Sequence, residues 1–261
     1  MNKNDKKKHT TQELDLNKIL QPDSSSFSTV EAYKVARTNI MFSLAEETGC
    51  KKIVVTSALP AEGKTTSTLN LGIVFAQVDA RVLVVDADLR RPKIHQYLGE
   101  KNKEGLADYL AGFAGLKDII RTREDLHLDY ISSGHIPPNP AELLSSSKME
   151  EMLSELSESY DYILIDTPPV TVVADALVLA KLVSGVLVIA KQKQTPHDAL
   201  KKTMSSLEFA EAKVLGFLIN ETVQEKRYYS KKYYKYGYKY GYRYGYGYGY
   251  GYGYGQEDAK E

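Results

Sequence analysis

The chain has 261 residues, 43% of them hydrophobic and 26% charged, which suits one large α/β domain or two small ones. Its formal net charge is zero, which argues against nucleic acid or any other strongly electrostatic partner for the molecule as a whole. One cysteine, Cys50, excludes an internal disulfide framework, and five histidines (His9, His95, His127, His135, His197) show no ligand spacing.

The basic start "MNKNDKKKHTTQELD" leads into no apolar stretch, so it does not read as a secretory signal. Residues 1–29 are polar and Ser-rich and are expected to form a flexible lead. A helix is expected from Val30 to about Glu47, with Val30, Tyr33, Val35, Ile40, Met41 and Leu44 at helical spacing. "KIVVTS" (52–57) predicts a strand and 64–78 a helix. "RVLVVDAD" (81–88) predicts a second strand, followed by short helices to about Ile120. "LDYISS" (128–133), "YDYILIDTPP" (160–169), "GVLVIA" (185–190) and "KVLGFLIN" (213–220) predict further strands, with helices near 140–157, 173–181 and 197–210 between them.

These strands are unbroken Val/Ile/Leu runs, as expected for a parallel sheet covered on both faces. A doubly wound, P-loop-like α/β domain over about 30–221 follows. The longest hydrophobic region, 172–190, is interrupted by Asp175, Lys181 and a Ser-Gly pair, so it reads as helix then strand and not as a membrane span. A cytoplasmic protein is expected.

"SALPAEGKTT" (57–66) follows a buried strand and opens a helix, and residues 58–65 fit G-x-x-x-x-G-K-[ST] apart from Ala58 in the first glycine place. Backbone N–H groups of Ala61, Glu62, Gly63, Lys64, Thr65 and Thr66 would cradle phosphates, with Lys64 on the terminal ones and the Thr65 hydroxyl on Mg²⁺. "VLVVDADLRRP" (82–92) brings Asp86 and Asp88 out of the next strand, and "YILIDTPP" (162–169) ends on Asp166. A single strand-end acid is usually a cap. Three beside one phosphate loop would repel each other unless a magnesium ion neutralises them, so a Mg-nucleotide site is the reading.

Beyond residue 221 the pattern stops. Fourteen of the chain's 20 tyrosines fall in this stretch: Tyr228, Tyr229, Tyr233, Tyr234, Tyr236, Tyr238, Tyr240, Tyr242, Tyr244, Tyr246, Tyr248, Tyr250, Tyr252 and Tyr254. Most alternate with glycine, and seven Lys or Arg with no acid lie within 226–243. Residues 222–261 are expected to be a disordered tail, because so few aliphatic groups cannot offset the entropy of ordering.

The three motifs and the tyrosine-rich end together resemble the bacterial tyrosine kinases (BY-kinases), in the cytoplasmic form found in Gram-positive capsule and exopolysaccharide loci. "EAYKVARTNI" (31–40) is similar to the family's E-x-x-R-x-x-R-T-N helix, which joins subunits into a ring through positions held here by Glu31, Lys34 and Arg37. Lys34 departs from the family's arginine and lacks its bidentate fork. Ala58 requires a negative φ.

The resemblance implies ATP and Mg²⁺ as cofactors, with Thr65, Asp86 and Asp166 on the metal. Lys64 would neutralise the transferred group, and Asp86 or Asp88 would act as base toward an incoming phenol. Asn220, at the end of "GFLIN", takes the place of an adenine contact in related folds or else caps its strand. The tail tyrosines would be the phosphoacceptors, presented in trans within a ring, of which an octamer is one form. The implied partners are a transmembrane activator that recruits the chain to the inner face of the membrane and an opposing protein-tyrosine phosphatase. Two rival readings are a MinD/ParA-like regulatory ATPase and a cohesive or nucleic-acid-binding tail. Against the first, the early loop lysine usual in those ATPases is replaced by Leu59.

Overall fold

The computed structural model describes residues 19–20 and 25–222. The tyrosine-rich segment, with every expected phosphoacceptor, lies outside the described residues, as does most of the expected N-terminal lead.

Helix α1 (Phe27–Ser43) opens the domain and is followed by β1 (Lys51–Ser57), α2 (Lys64–Ala76) and β2 (Val82–Asp86). Three short helices come next: α3 (Ile94–Tyr97), α4 (Leu106–Leu110) and α5 (Leu116–Ile119). Strands β3 (Ile120–Arg123) and β4 (Leu128–Ile131) lead to α6 (Pro140–Leu144), α7 (Ser147–Leu156) and β5 (Tyr162–Asp166). The series ends with α8 (Asp175–Leu179), β6 (Gly185–Lys191), α9 (His197–Phe209) and β7 (Val214–Asn220).

The seven strands form one sheet in the order β3-β4-β2-β5-β1-β6-β7. All pairs are parallel except β3 with β4. β1 is flanked by β5 and β6, and the chain winds outward on either side of it, so the loop after β1 opens at the switch point where open α/β sheets bind ligands.

Side chains alternate across the sheet with period two. Val54, Leu83, Val85, Ile163 and Ile165 join a core with α4, α6, α7 and α8. Ile53, Val55, Val82, Val84 and Leu164 join the opposite core with α1 and α2. Burial on both faces is what the continuous aliphatic runs require. It fails at the β7 edge, where Phe217 and Ile219 are exposed.

Several expectations are corrected. α1 starts at Phe27, three residues before Val30, because Ser26 caps it by accepting a hydrogen bond from the Thr29 amide. Ile19 and Leu20, in the segment expected to be flexible, are buried, and the Leu20 amide donates to Asn70 Oδ1 at 2.7 Å. The short helices expected up to about Ile120 are present and end at Ile119, but the antiparallel edge strand β3 that follows them is not among the expected strands. The helix expected over 140–157 is two helices broken at Ser145–Ser146.

Candidate active site

The loop between β1 and α2 is shaped by two residues in the left-handed region, Ala61 (φ 63°) and Gly63 (φ 87°). Such a reversal turns successive amides to one side and makes an anion-binding concavity. Gly63 occupies the N-cap position of α2 and supplies no side-chain cap, so the first amides of the helix point into the same space. Gly63 is also held to glycine by space: a Cβ there would lie 2.5 Å from Asn220 Nδ2. Ala58 is fully buried and is not among the left-handed residues, so its departure from glycine is accommodated.

Lys64 is buried at 8% exposure, and its charge acts on both Asp88 and Asp166. Thr65 Oγ1 donates to Asp166 Oδ2 at 2.6 Å. Thr66 follows on the first turn of α2, half-buried. Glu62 contributes its backbone to the loop, while its carboxylate turns into the protein. There Oε2 accepts from the Leu59 amide at 2.8 Å and Oε1 accepts from the Thr195 hydroxyl. Asn220, which the sequence leaves as either an adenine contact or a strand-end cap, meets the loop: its Nδ2 donates to the Glu62 carbonyl at 2.9 Å and to Ser67 Oγ at 3.0 Å.

The sheet sets Asp86 of β2 directly opposite Asp166 of β5. Both are buried, at 0% and 1% exposure. Asp86 Oδ2 accepts from the amides of Lys93 (3.1 Å) and Ile94 (3.0 Å). Asp86 Oδ1 and Asp166 Oδ1 are both buried with no hydrogen-bond partner. Burial, and then the charge of Asp166, push the Asp86 carboxyl well above the usual range. Burial raises Asp166 to about 6 although Lys64 and the Thr65 hydroxyl pull it down. Burial likewise raises Asp88, whose Oδ1 accepts from the Arg91 amide at 3.0 Å.

Two partnerless carboxylate oxygens beside a threonine hydroxyl are a hard-oxygen donor set, and it fits a magnesium ion. No group of three or more His, Cys, Asp or Glu suited to a metal occurs among the described residues. Magnesium needs none, since it takes one or two carboxylates and completes its octahedron with phosphate oxygens and water.

One ion pair escaped the motif reading. Arg90, two residues past Asp88, forms a fork on the fully buried Asp175 of α8, with Nε–Oδ2 at 2.9 Å and Nη2–Oδ1 at 3.1 Å. It ties the turn after β2 to the segment after β5. On α1, Lys34 Nζ pairs with Glu31 Oε1 at 2.9 Å on the helix surface, while Arg37 Nη1 donates to the Val74 carbonyl of α2 at 2.5 Å. No described helix is long and apolar enough to cross a membrane.

The profile of a family described as an AAA domain matches residues 50–215. Tyrosine-protein kinase YwqD of Bacillus subtilis is 36% identical over 230 residues, covering 87% of this chain and 96% of that one. The putative tyrosine-protein kinase CapB of Staphylococcus aureus is 33% identical, covering 79% and 91%. Tyrosine-protein kinase etk of Escherichia coli is 34% identical, but the match spans only 28% of that longer protein. Among solved structures, the chimerical protein CapA2B2 is 35% identical with a TM-score of 0.71, covering 77% of this chain and 87% of that one. The E. coli ETK kinase domain is 33% identical at 0.72, covering 85% and 80%. MinD of Pyrococcus horikoshii, complexed with Mg-ADP, is 26% identical at 0.58, covering 68% and 73%. The phosphate loop, the paired strand-end acids and these likenesses agree: the chain belongs to the bacterial tyrosine kinase family, and the match takes in nearly the whole of members of its own size.

Proposed function

We propose that this chain is an ATP- and magnesium-dependent protein-tyrosine kinase that phosphorylates the tyrosines of 228–254 in trans within a ring of its own copies, and so regulates capsule or exopolysaccharide synthesis and export. The observation that carries the reading is the pair of partnerless oxygens on Asp86 and Asp166 beside Lys64 and Thr65. Thr65, Asp86 and Asp166 would hold the magnesium ion, which supplies neutralising charge at the phosphates.

The loop amides and Lys64 bind and orient the phosphate chain, and the buried Lys64 ammonium offsets charge building on the transferred group. A phenol with a pKa of about 10 needs a base at neutral pH. Asp88 is that base. Asp86 has one oxygen fixed by two amides and the other buried without a partner, where it would serve the metal, whereas Asp88 is less buried and has a pKa raised from the ordinary carboxylate range by burial. A Tyr-Gly repeat suits an acceptor that is presented many times, since glycine removes bulk beside each ring.

Glu31, Lys34 and Arg37 on α1 would join the ring. A transmembrane activator would bring the chain to the inner face of the membrane, and a protein-tyrosine phosphatase would reverse the modification. The tyrosine-rich segment and Leu59 in the loop favour a kinase over a MinD-like regulatory ATPase.

Labelled ATP decides between them, given to the wild type, to Lys64→Met and to a chain stopped at Val223, each with the activator's cytoplasmic segment. Label on tyrosine in the wild type, and on the Lys64→Met tail when the shortened enzyme is added, supports trans transfer. Hydrolysis with no labelled tyrosine leaves a regulatory ATPase.

A further inference from the structure

An acid inside a phosphate-binding loop is at odds with an anionic ligand, yet Glu62 sits at the apex of this one. The residue is only 4% exposed, and both oxygens of its carboxylate are engaged within the protein. One oxygen accepts from the Leu59 amide, and the other accepts from Thr195, whose hydroxyl accepts in turn from the Lys191 amide at 2.7 Å. The Glu62 carbonyl is held separately by Asn220 Nδ2, which also reaches Ser67 of α2. Lys191 and Asn220 are paired partners at the ends of β6 and β7. Two adjoining strand ends therefore grip one residue of the loop, by its side chain and by its backbone.

The grip falls where the backbone needs it. Ala61 and Gly63, on either side of Glu62, are both left-handed, and for alanine that region is disfavoured. A flexible loop would leave this shape when empty and lose ordering entropy each time it closed on phosphate. A braced loop meets that cost on folding. The approach of Asn220 Nδ2 to the Cα of Gly63 leaves no room for a side chain between them.

We propose that Asn220 and Thr195 are positioning residues, which hold the phosphate loop in its anion-binding shape through Glu62, with Asn220 acting on the loop and not on the nucleotide base. The proposal rests on the nucleotide-binding reading above. Its signature is indifference to the base: whatever these residues contribute, they contribute equally to ATP, GTP and bare triphosphate.

The test measures binding of ATP and of inorganic tripolyphosphate, each with magnesium, to the full-length chain by calorimetry. Asn220→Ala and Thr195→Val should each weaken both ligands by the same factor, about 3- to 10-fold, the range for one lost hydrogen bond. Thr195→Ser keeps the hydroxyl and should restore wild-type affinity, which a loss through general destabilisation does not predict. A loss for ATP with tripolyphosphate unchanged would make Asn220 a base contact and overturn the proposal, as would unchanged affinity for both ligands in both variants. If Asn220→Ala does not fold, the Thr195 pair carries the test alone. Wild-type protein that binds neither ligand would remove the nucleotide reading itself, an outcome distinct from either of these.

Discussion

Asp86 and Asp166 face each other across adjacent parallel strands, and each keeps one buried carboxylate oxygen without a hydrogen-bond partner. Without metal, this arrangement opposes folding. Asp86→Asn keeps an acceptor for the Lys93 and Ile94 amides while removing a buried charge. It should stabilise the metal-free protein by about 1–3 kcal/mol, a rise of several degrees in Tm, and lower tyrosine phosphorylation at least about a hundredfold. Thermal unfolding in a chelator and a label-transfer assay check the two halves.

The same pair sets a pH dependence. A carboxyl whose pKa is raised by folding binds its proton more tightly folded than unfolded, so stability falls as the pH rises through that window and returns as the pH drops. Asp166 titrates in both proteins, so the difference between them is that of Asp86; because burial raises the Asp86 carboxyl, the metal-free wild type should gain stability on acidification relative to Asp86→Asn. Unfolding midpoints of the two proteins at pH 7 and pH 5 should converge. A gap that widens on acidification contradicts the assignment.

Lys64→Met should act on stability with the opposite sign. Lys64 is the buried cation that lowers both Asp88 and Asp166, so its loss leaves those acids without a counter-charge. The metal-free variant should unfold at a lower temperature than wild type and should transfer phosphate at least about a hundredfold more slowly. The first effect is read by calorimetry and the second by labelled ATP.

Arg90→Met strands the fully buried Asp175. Because Arg90 is 39% exposed, the cost is discounted from that of a wholly buried pair, to about 1–3 kcal/mol in denaturant unfolding. Asp175→Asn combined with Arg90→Met should cost less than the two singles added together, since the second change removes the charge that the first leaves unpaired.

Gly63→Ala meets two obstacles, a left-handed φ and the Asn220 amide 2.5 Å away. Adding Asn220→Ala removes the second obstacle only. Nucleotide affinity should therefore fall in Gly63→Ala and stay below that of Asn220→Ala in the double variant, as equilibrium binding will show.

The central strands were legible because burial on both faces demands uninterrupted aliphatic runs. Lys64, Asp86 and Asp166 were legible because each follows such a run directly. β3 was not: its "IRTR" is four residues long, polar at three of its four places, and pairs antiparallel at an edge. Ile19 and Leu20 were hidden for a similar reason, being two apolar residues with no period around them. The ties of Arg90 to Asp175 and of Glu62 to Thr195 join positions 85 and 133 residues apart, and local pattern carries no trace of such pairings. Asn220 was picked out by its place at a strand end, but only the fold shows that its amide meets the loop.

The docking of Ile19 and Leu20 beside α2 bears on how the chain can be shortened. A recombinant version begun at Ser25, inside the stretch that the sequence reads as a polar lead, would uncover greasy surface and leave Asn70 without the Leu20 amide. Sticky, poorly behaved preparations of such a trimmed protein would reflect the cut and not the enzyme.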